Sequence, residues 1–302
     1  MNYYSILGEV IDMPVTKSPL RYPGGKTQLA SYVKHLLDIN NTHKTYIEPF
    51  AGGFGVALEL LFDGSVEEVV LNDYDSSIFA IWNSILNNYD DFKNLLINTP
   101  ITINEWHRQQ QIHLKFKNNP TSVENGFATF YLNRTNRSGI IKAGPIGGLN
   151  QAGKYKLDCR FNKDSLLKKI ENIHNFKEKI HIYNLDANEF IANNLKQYDH
   201  HSTFIFYDPP YFKQGQNLYL SFVDRNDHSI LANNILKFSN NYKWITTYDL
   251  EEDIRHLYSP YVKAYKYSLN YSAGKKRKSE EYLFANNNTL VDSFDKVNLL
   301  QI

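Results

Sequence analysis

Five residues with no polar alternation, Thr203-Phe204-Ile205-Phe206-Tyr207, run directly into Asp208-Pro209-Pro210-Tyr211. A short uninterrupted apolar run of this kind reads as a strand buried on both faces, the habit of central strands in parallel sheets. The two prolines end it, because neither carries an N–H for the ladder and each holds φ at roughly −65°. Asp208 is thereby left at the C-terminal edge of a strand, where open α/β sheets place their ligands. A stiff turn rich in acceptors suits a ligand that donates, such as an exocyclic amino group, whose hydrogens a carboxylate and a proline carbonyl can accept. Tyr211 adds a flat face for stacking. Taken alone, the stretch also fits an ordinary strand-ending turn.

Rightward and leftward of this turn the chain continues to alternate. Lys44 to Pro49 reads as a strand entering a glycine-rich turn, Val56 to Phe62 as a helix, and Glu68 to Leu71 as a second strand ending at Asn72-Asp73. Ile78, Ile81, Trp82 and Ile85 recur at helical spacing within Ser76 to Leu86. Further strands are expected at Ile180 to Leu185 and Trp244 to Thr247, with a helix at His228 to Phe238. Ala264 to Leu269 and Glu281 to Ala285 have the look of an edge hairpin, joined by the basic loop Lys275-Lys276-Arg277-Lys278. Between about Tyr89 and Lys177 the pattern changes to polar helical stretches punctuated by Ser138-Gly139, Gly144-Pro145 and Gly147-Gly148, as an inserted lobe would be.

The 302 residues suffice for one large domain, or one domain carrying such a lobe. Lys and Arg number 33 against 32 Asp and Glu, so a polyanion would have to be met by a local basic patch and not by overall charge. Cys159 is the single cysteine, which excludes a disulfide framework and a thiolate zinc site and fits a reducing interior. Met1 to Asp12 has no basic segment followed by an apolar one, and no apolar stretch approaches the roughly 20 residues that span a bilayer; a soluble cytoplasmic protein is expected.

Two other places carry chemistry. Glu48-Pro49-Phe50-Ala51-Gly52-Gly53-Phe54-Gly55 joins a strand to a helix, and its glycines let a ligand approach the backbone at the helix N-terminus. Asp73 ends the next strand, where a carboxylate can accept from both ribose hydroxyls of an adenosine-containing cofactor. On these residues alone, a nicotinamide enzyme and a methyltransferase are equally compatible.

The order of motifs is more specific than any one of them. Arg21-Tyr22-Pro23-Gly24-Gly25-Lys26, the Glu48 to Gly55 turn, Asn72-Asp73, Leu185-Asp186-Ala187-Asn188 and Asp208 to Tyr211 together resemble the ordered motifs of the Dam-like (D12 class, alpha group) DNA adenine N6-methyltransferases. The resemblance implies a Rossmann-like α/β sheet dependent on S-adenosylmethionine, formed by residues 1–88 and 178–302, with an inserted, mostly helical plus hairpin DNA-recognition lobe at 89–177. It implies cofactor contacts from Tyr22, Pro23, Gly24, Gly25, Lys26, Glu48, Pro49, Phe50, Gly52, Asp73, Asp186, Ala187 and Asp208. Tyr22 and Lys26 would bind its methionine end, Asp73 its ribose and Asp186 its adenine. Asp208, Pro209, Pro210 and Tyr211 would carry the transfer, with S-adenosylhomocysteine as product.

Phe130 to Gly139 resembles the family's segment in which Asn-Arg leads into a DNA-contacting hairpin. Asn133, Arg134, Asn136, Arg137, Lys142, Lys154 and Arg160 are the implied DNA contacts, to base edges or to phosphates, although any of them could be a solvated surface residue. The sequence departs from the family in two places. Its glycines stand at 52, 53 and 55 where Phe-x-Gly-x-Gly is common, and Asn72-Asp73-Tyr74-Asp75 has Asp where Asn is common.

The mechanism implied is base flipping followed by direct in-line transfer, with no metal; His107 and His113 do not share a helix face, and Cys159 lacks the preceding proline of a cytosine C5 nucleophile. Cytosine N4 methylation uses the same acceptor geometry, but Asp at the first motif position resembles the adenine enzymes. RNA or protein-amide methylation, a nicotinamide dehydrogenase and a catalytically idle DNA-binding relative fit less well. Double-stranded DNA is the implied partner, bound by a monomer. Whether a cognate restriction endonuclease accompanies it, and which site is read, are left open.

Overall fold

The computed structural model describes residues 16–22, 24–212, 225–271 and 277–302. Pro23, the Met1 to Asp12 segment and Lys275-Lys276 lie outside the described residues, as do the side chains of Arg277 and Lys278.

The strands are β1 (Thr45–Glu48), β2 (Glu68–Asn72), β3 (Ile180–Tyr183), β4 (Thr203–Tyr207), β5 (Lys243–Asp249), β6 (Lys263–Tyr271), β7 (Arg277–Ala285) and β8 (Leu300–Gln301). They form one sheet in the order β3-β2-β1-β4-β5-β7-β6-β8. From β3 to β5 all neighbours are parallel, and from β5 to β8 all are antiparallel. The expected strands and hairpin are present, but the hairpin is not at the edge: the two-residue β8 pairs with β6 and lies outside it. Strand order reverses between β1 and β4, which opens a crevice at their C-terminal ends, beyond Glu48 and Tyr207.

Strand β4 shows why its sequence is apolar throughout. Phe204 and Phe206 project into a core with α1 (Ala30–Asn40), α2 (Gly55–Phe62) and α3 (Ser76–Asn87). Ile205 and Tyr207 project the other way, onto α9 (Arg225–Phe238) and α10 (Glu252–Tyr258). With period-two alternation between two covered faces, every position is interior.

Helices α4 (Tyr89–Asn98), α5 (Ile103–Phe116), α6 (Val123–Thr135) and α7 (Lys163–Asn175) occupy the middle of the chain. Their N-termini follow from local sequence, since Thr102, Ser122 and Asn162 each accept from a backbone N–H in the first turn. These helices share one apolar core with the sheet, in which Trp82 and Ile85 of α3 lie with Phe92, Phe127, Phe130 and Ile170. The α3–α6 contact is close: a Cβ on Gly126 would come within 2.4 Å of both the Ala80 carbonyl and Ser84 Oγ. In place of hairpin strands, the segment after α6 has a single antiparallel bridge, Asn136 to Pro145, followed by turns through Gly147 and Gly148 at positive φ. That glycine pair and the left-handed Ser138 and Gly139 bend the chain too often for a ladder to extend.

None of the helices among the described residues is long and apolar enough to cross a membrane.

Candidate active site

A cavity of about 1130 Å³ occupies the crevice and is lined by Tyr22, Gly24, Gly25, Lys26, Glu48, Phe50, Asp73, Asp208 and Pro210, among others. The glycine turn and the Asp208 turn thus meet in one space, although they are far apart in sequence, because β1 and β4 are neighbours in the sheet. Pro49 and Pro209 are buried behind it. Asp186 and Ala187 are outside the lining: Asp186 caps the short α8 (Ala187–Glu189) by accepting from Asn188 N–H at 2.8 Å, and Ala187 is buried in the core.

The turn after β1 has a tightly specified shape. Gly52 has φ +47°, and Trp82 Nε1 donates to its carbonyl at 3.0 Å. The Tyr22 ring lies against the turn so closely that a Cβ on Gly52 would come within 2.6 Å of it, and one on Gly53 within 2.7 Å of Tyr22 Cβ. Phe54 stands where the family pattern commonly has its second glycine, and it keeps a left-handed backbone, φ 55°. Such a conformation strains a side chain by about 1–2 kcal/mol; here the Phe54 ring is buried and stacked on Trp82 at 4.0 Å, which offsets the strain.

Asn72 joins three strand ends. Its amide donates to Pro49 O at 3.1 Å and Leu185 O at 3.0 Å, and its side-chain oxygen accepts from Leu185 N–H at 3.0 Å. Asp73, beside it, accepts from Gly52 N–H at 2.8 Å and Asp75 N–H at 2.9 Å. Burial, with Asp75 nearby, raises the Asp73 pKa to about 7. Asp75 caps α3 through Ser77 N–H at 2.8 Å, a task Asn performs equally well, so the second departure from the family pattern leaves the turn intact. Glu48 accepts from Tyr46 O–H at 3.0 Å and Ala57 N–H at 3.2 Å, yet burial raises its pKa to about 8.

Asp208 is held differently. Its Oδ1 accepts from Thr247 O–H at 2.8 Å and lies 3.2 Å from Lys26 Nζ. Burial pushes its pKa up, opposed by the Lys26 ammonium and reinforced by Glu281. Lys26, 5% exposed, also donates to Tyr211 O–H at 2.5 Å, sits over the Tyr211 ring at 4.7 Å and lies 3.5 Å from Glu281. Tyr211 in turn donates to Glu281, as does Tyr267 at 2.6 Å. Thr247, Tyr267 and Glu281 were not among the residues singled out from sequence. The signal for Glu281 was alternation in the β7 run, which puts it on the same sheet face as the buried Leu283 and Ala285.

The basic segment separates into two groups. Arg137, Lys142, Lys154 and Arg160 are exposed. Asn133 is buried, bridging Arg21 N–H, Arg21 O and Gly139 O at 2.9 Å each. Asn136 is buried too, accepting from Trp106 Nε1 at 2.6 Å and donating to Ile141 O at 2.8 Å. Arg134 donates to Pro19 O at 3.3 Å and to Arg160 O. Burial first, and then Arg21 and Arg160, lower its pKa to about 10. The side chains of Asn133 and Asn136 therefore face inward in this arrangement, fastening the Arg21 segment and the turn after α6.

The sequence model of the D12 class N6 adenine-specific DNA methyltransferases matches residues 22–272. The chain is 24% identical over 205 residues to the type II methyltransferase M.MjaIII of Methanocaldococcus jannaschii, covering 64% of this chain and 68% of that one. It is 25% identical over 275 residues to the type II methyltransferase M.CviBI of Paramecium bursaria Chlorella virus NC1A, covering 84% and 93%.

Proposed function

The chain belongs to the D12 class N6 adenine-specific DNA methyltransferases, and from that premise we propose how this cavity carries out site-specific adenine methylation. The observation that carries the reading is the convergence of Asp73, Glu48 and Asp208 on a single space.

The residues present fit S-adenosylmethionine. Glu48, buried, and Asp73, half-buried, are acids with raised pKa values and with acceptor capacity remaining, so each gains from a donor: Asp73 from ribose hydroxyls, Glu48 from the ammonium of the methionine end. Tyr22, Gly24, Gly25 and Phe50 supply the walls. When bound, the cofactor supplies a methyl group on a sulfonium, taken up in one in-line displacement.

The target adenine amine is engaged in base pairing, so the base is flipped out of the duplex at a cost of a few kcal/mol. The Tyr211 ring offers a stacking face beside it. Asp208 Oδ1 is occupied by Thr247 and Lys26, which leaves Oδ2, with the Pro209 carbonyl, to accept the two amine hydrogens and aim the nitrogen lone pair. Asp208, with its pKa raised by burial, is also the group at that nitrogen able to hold the proton released on methylation. The exposed Arg137, Lys142, Lys154 and Arg160 are the DNA contacts of this reading.

One chain supplies both halves of the cavity, so a monomer suffices on DNA, in the cytoplasm. The type II relatives support a restriction-modification setting, with an endonuclease of the same specificity as partner. The test is expression in a methylation-free host with single-molecule mapping of modified bases. N6-methyladenine at one sequence, absent with an Asp208→Ala variant, is expected; N4-methylcytosine or no modification overturns the reading.

A further inference from the structure

We propose that Glu281 is a positioning residue for methyl transfer, holding the Tyr211 ring and the Lys26 ammonium where they shape the target-amine pocket; this rests on the reading of Asp208 to Tyr211 as that pocket. Glu281 comes from β7, far from every motif of the site, and reaches it through sheet register: it pairs with Asp249 of β5 and with Tyr267 of β6. Thr247, two residues before Asp249 on β5, is the donor to Asp208. The antiparallel part of the sheet is in this way built into the site of the parallel part.

Glu281 is 1% exposed, in a row where Leu283 and Ala285 are its same-face neighbours. An apolar side chain would satisfy burial there, whereas a carboxylate needs donors. Among its donors are site residues and their neighbours: Tyr211 O–H to Oε1, Tyr267 O–H to Oε2 and the Lys26 ammonium at 3.5 Å. Stacking on a base uses the face of the Tyr211 ring and makes no demand on its hydroxyl. The hydroxyl instead fixes the tilt of the ring, with Glu281 as its anchor. By drawing on Lys26 as well, Glu281 sets the side from which the ammonium meets Asp208.

The experiment is steady-state incorporation of tritiated methyl from S-adenosylmethionine into genomic DNA of a methylation-free host, with full-length enzyme. Glu281→Gln preserves volume and removes the charge; displacing the ring by about an ångström lowers kcat on the order of 100-fold. Tyr211→Phe keeps the stacking face and removes the hydroxyl. If Glu281 acts through that hydroxyl, the double variant is no slower than the slower single one, since the two changes break one contact. A purely structural role gives a lower melting temperature with kcat per folded molecule unchanged, and additive effects; either result overturns the proposal. Should Glu281→Gln fail to fold, Tyr267→Phe decides, because it removes one donor and no charge. A kcat lowered about 3- to 10-fold supports the proposal, and an unchanged kcat overturns it. Wild-type enzyme that incorporates no methyl overturns the function on which the proposal rests, whereas an active wild type with unaffected variants overturns the positioning role alone.

Discussion

The two banks of the cavity treat their acids in opposite ways. On the glycine-turn bank, Glu48 and Asp73 accept only from hydroxyl and backbone donors, and among the described residues no cation pairs with either. On the other bank, Asp208 and Glu281 share the buried Lys26. A buried acid without a cation is costly to ionise; one beside an ammonium is compensated within the protein. On the proposed reading, the first bank is completed by its cofactor, whereas the second is already held together by contacts within the protein.

The sharpest way to break this comparison is Asp208→Ala. If the second bank is catalytic and the first binds cofactor, kcat falls on the order of 10³-fold while calorimetry still detects S-adenosylhomocysteine. Loss of S-adenosylhomocysteine binding in this variant would put the cofactor on the Asp208 bank instead and overturn the assignment.

A smaller effect tests the first bank through pH. Glu48 and Asp73 in the free protein are neutral below about 8 and about 7 and ionised above. A ligand that donates to both ionised acids binds more tightly as pH rises, by up to about a hundredfold per pH unit below the Asp73 value and about tenfold per unit between the Asp73 and Glu48 values, and levels off above the latter. Stability of the free protein runs the other way. A folded pKa above the unfolded one contributes stability that is fully present below the ordinary carboxylate range and lost as pH rises through about 8 for Glu48. Glu48→Gln should flatten both curves above the Asp73 value, as read by calorimetry and thermal melting. An unchanged affinity curve would remove Glu48 from the cofactor site.

The smallest effect concerns the turn that shapes the first bank. Phe54→Ala and Phe54→Gly both lose the stacking on Trp82, but glycine tolerates φ 55° and alanine does not. The glycine variant should melt higher, corresponding to about 1 kcal/mol. Equal melting temperatures would mean that the left-handed turn carries no strain.

The first bank was the more legible in sequence. Strand, glycine turn, helix and strand-end acid are all local patterns, and the structure draws them as written, from Thr45 to Asn87. Asp208 was legible for the same reason. Its partners were not, because Thr247 and Glu281 reach the site only through strand pairing across β5 and β7, which no spacing reveals. The lobe misled in a different way. Asn133 and Asn136 have the composition of a DNA-reading surface, yet their amides satisfy backbone groups of the Arg21 segment and of residues 139–141. A buried amide and an exposed one look alike until the distant segment that it contacts is known.

The closeness of α3 and α6 at Gly126 bears on how such an enzyme could be given a new target sequence. Replacing residues 89–177 wholesale would leave Trp82, Ile85 and the other shared core residues facing a foreign surface, and any side chain in place of Gly126 would collide with α3. The turns from residue 140 to residue 160 make far fewer demands on that core, and only Leu157 is buried in it. With the exposed residues of these turns as the proposed DNA contacts, retargeting becomes a problem of loop grafting onto a fixed helical platform, whereas exchange of the whole insertion would break the core it shares with the sheet.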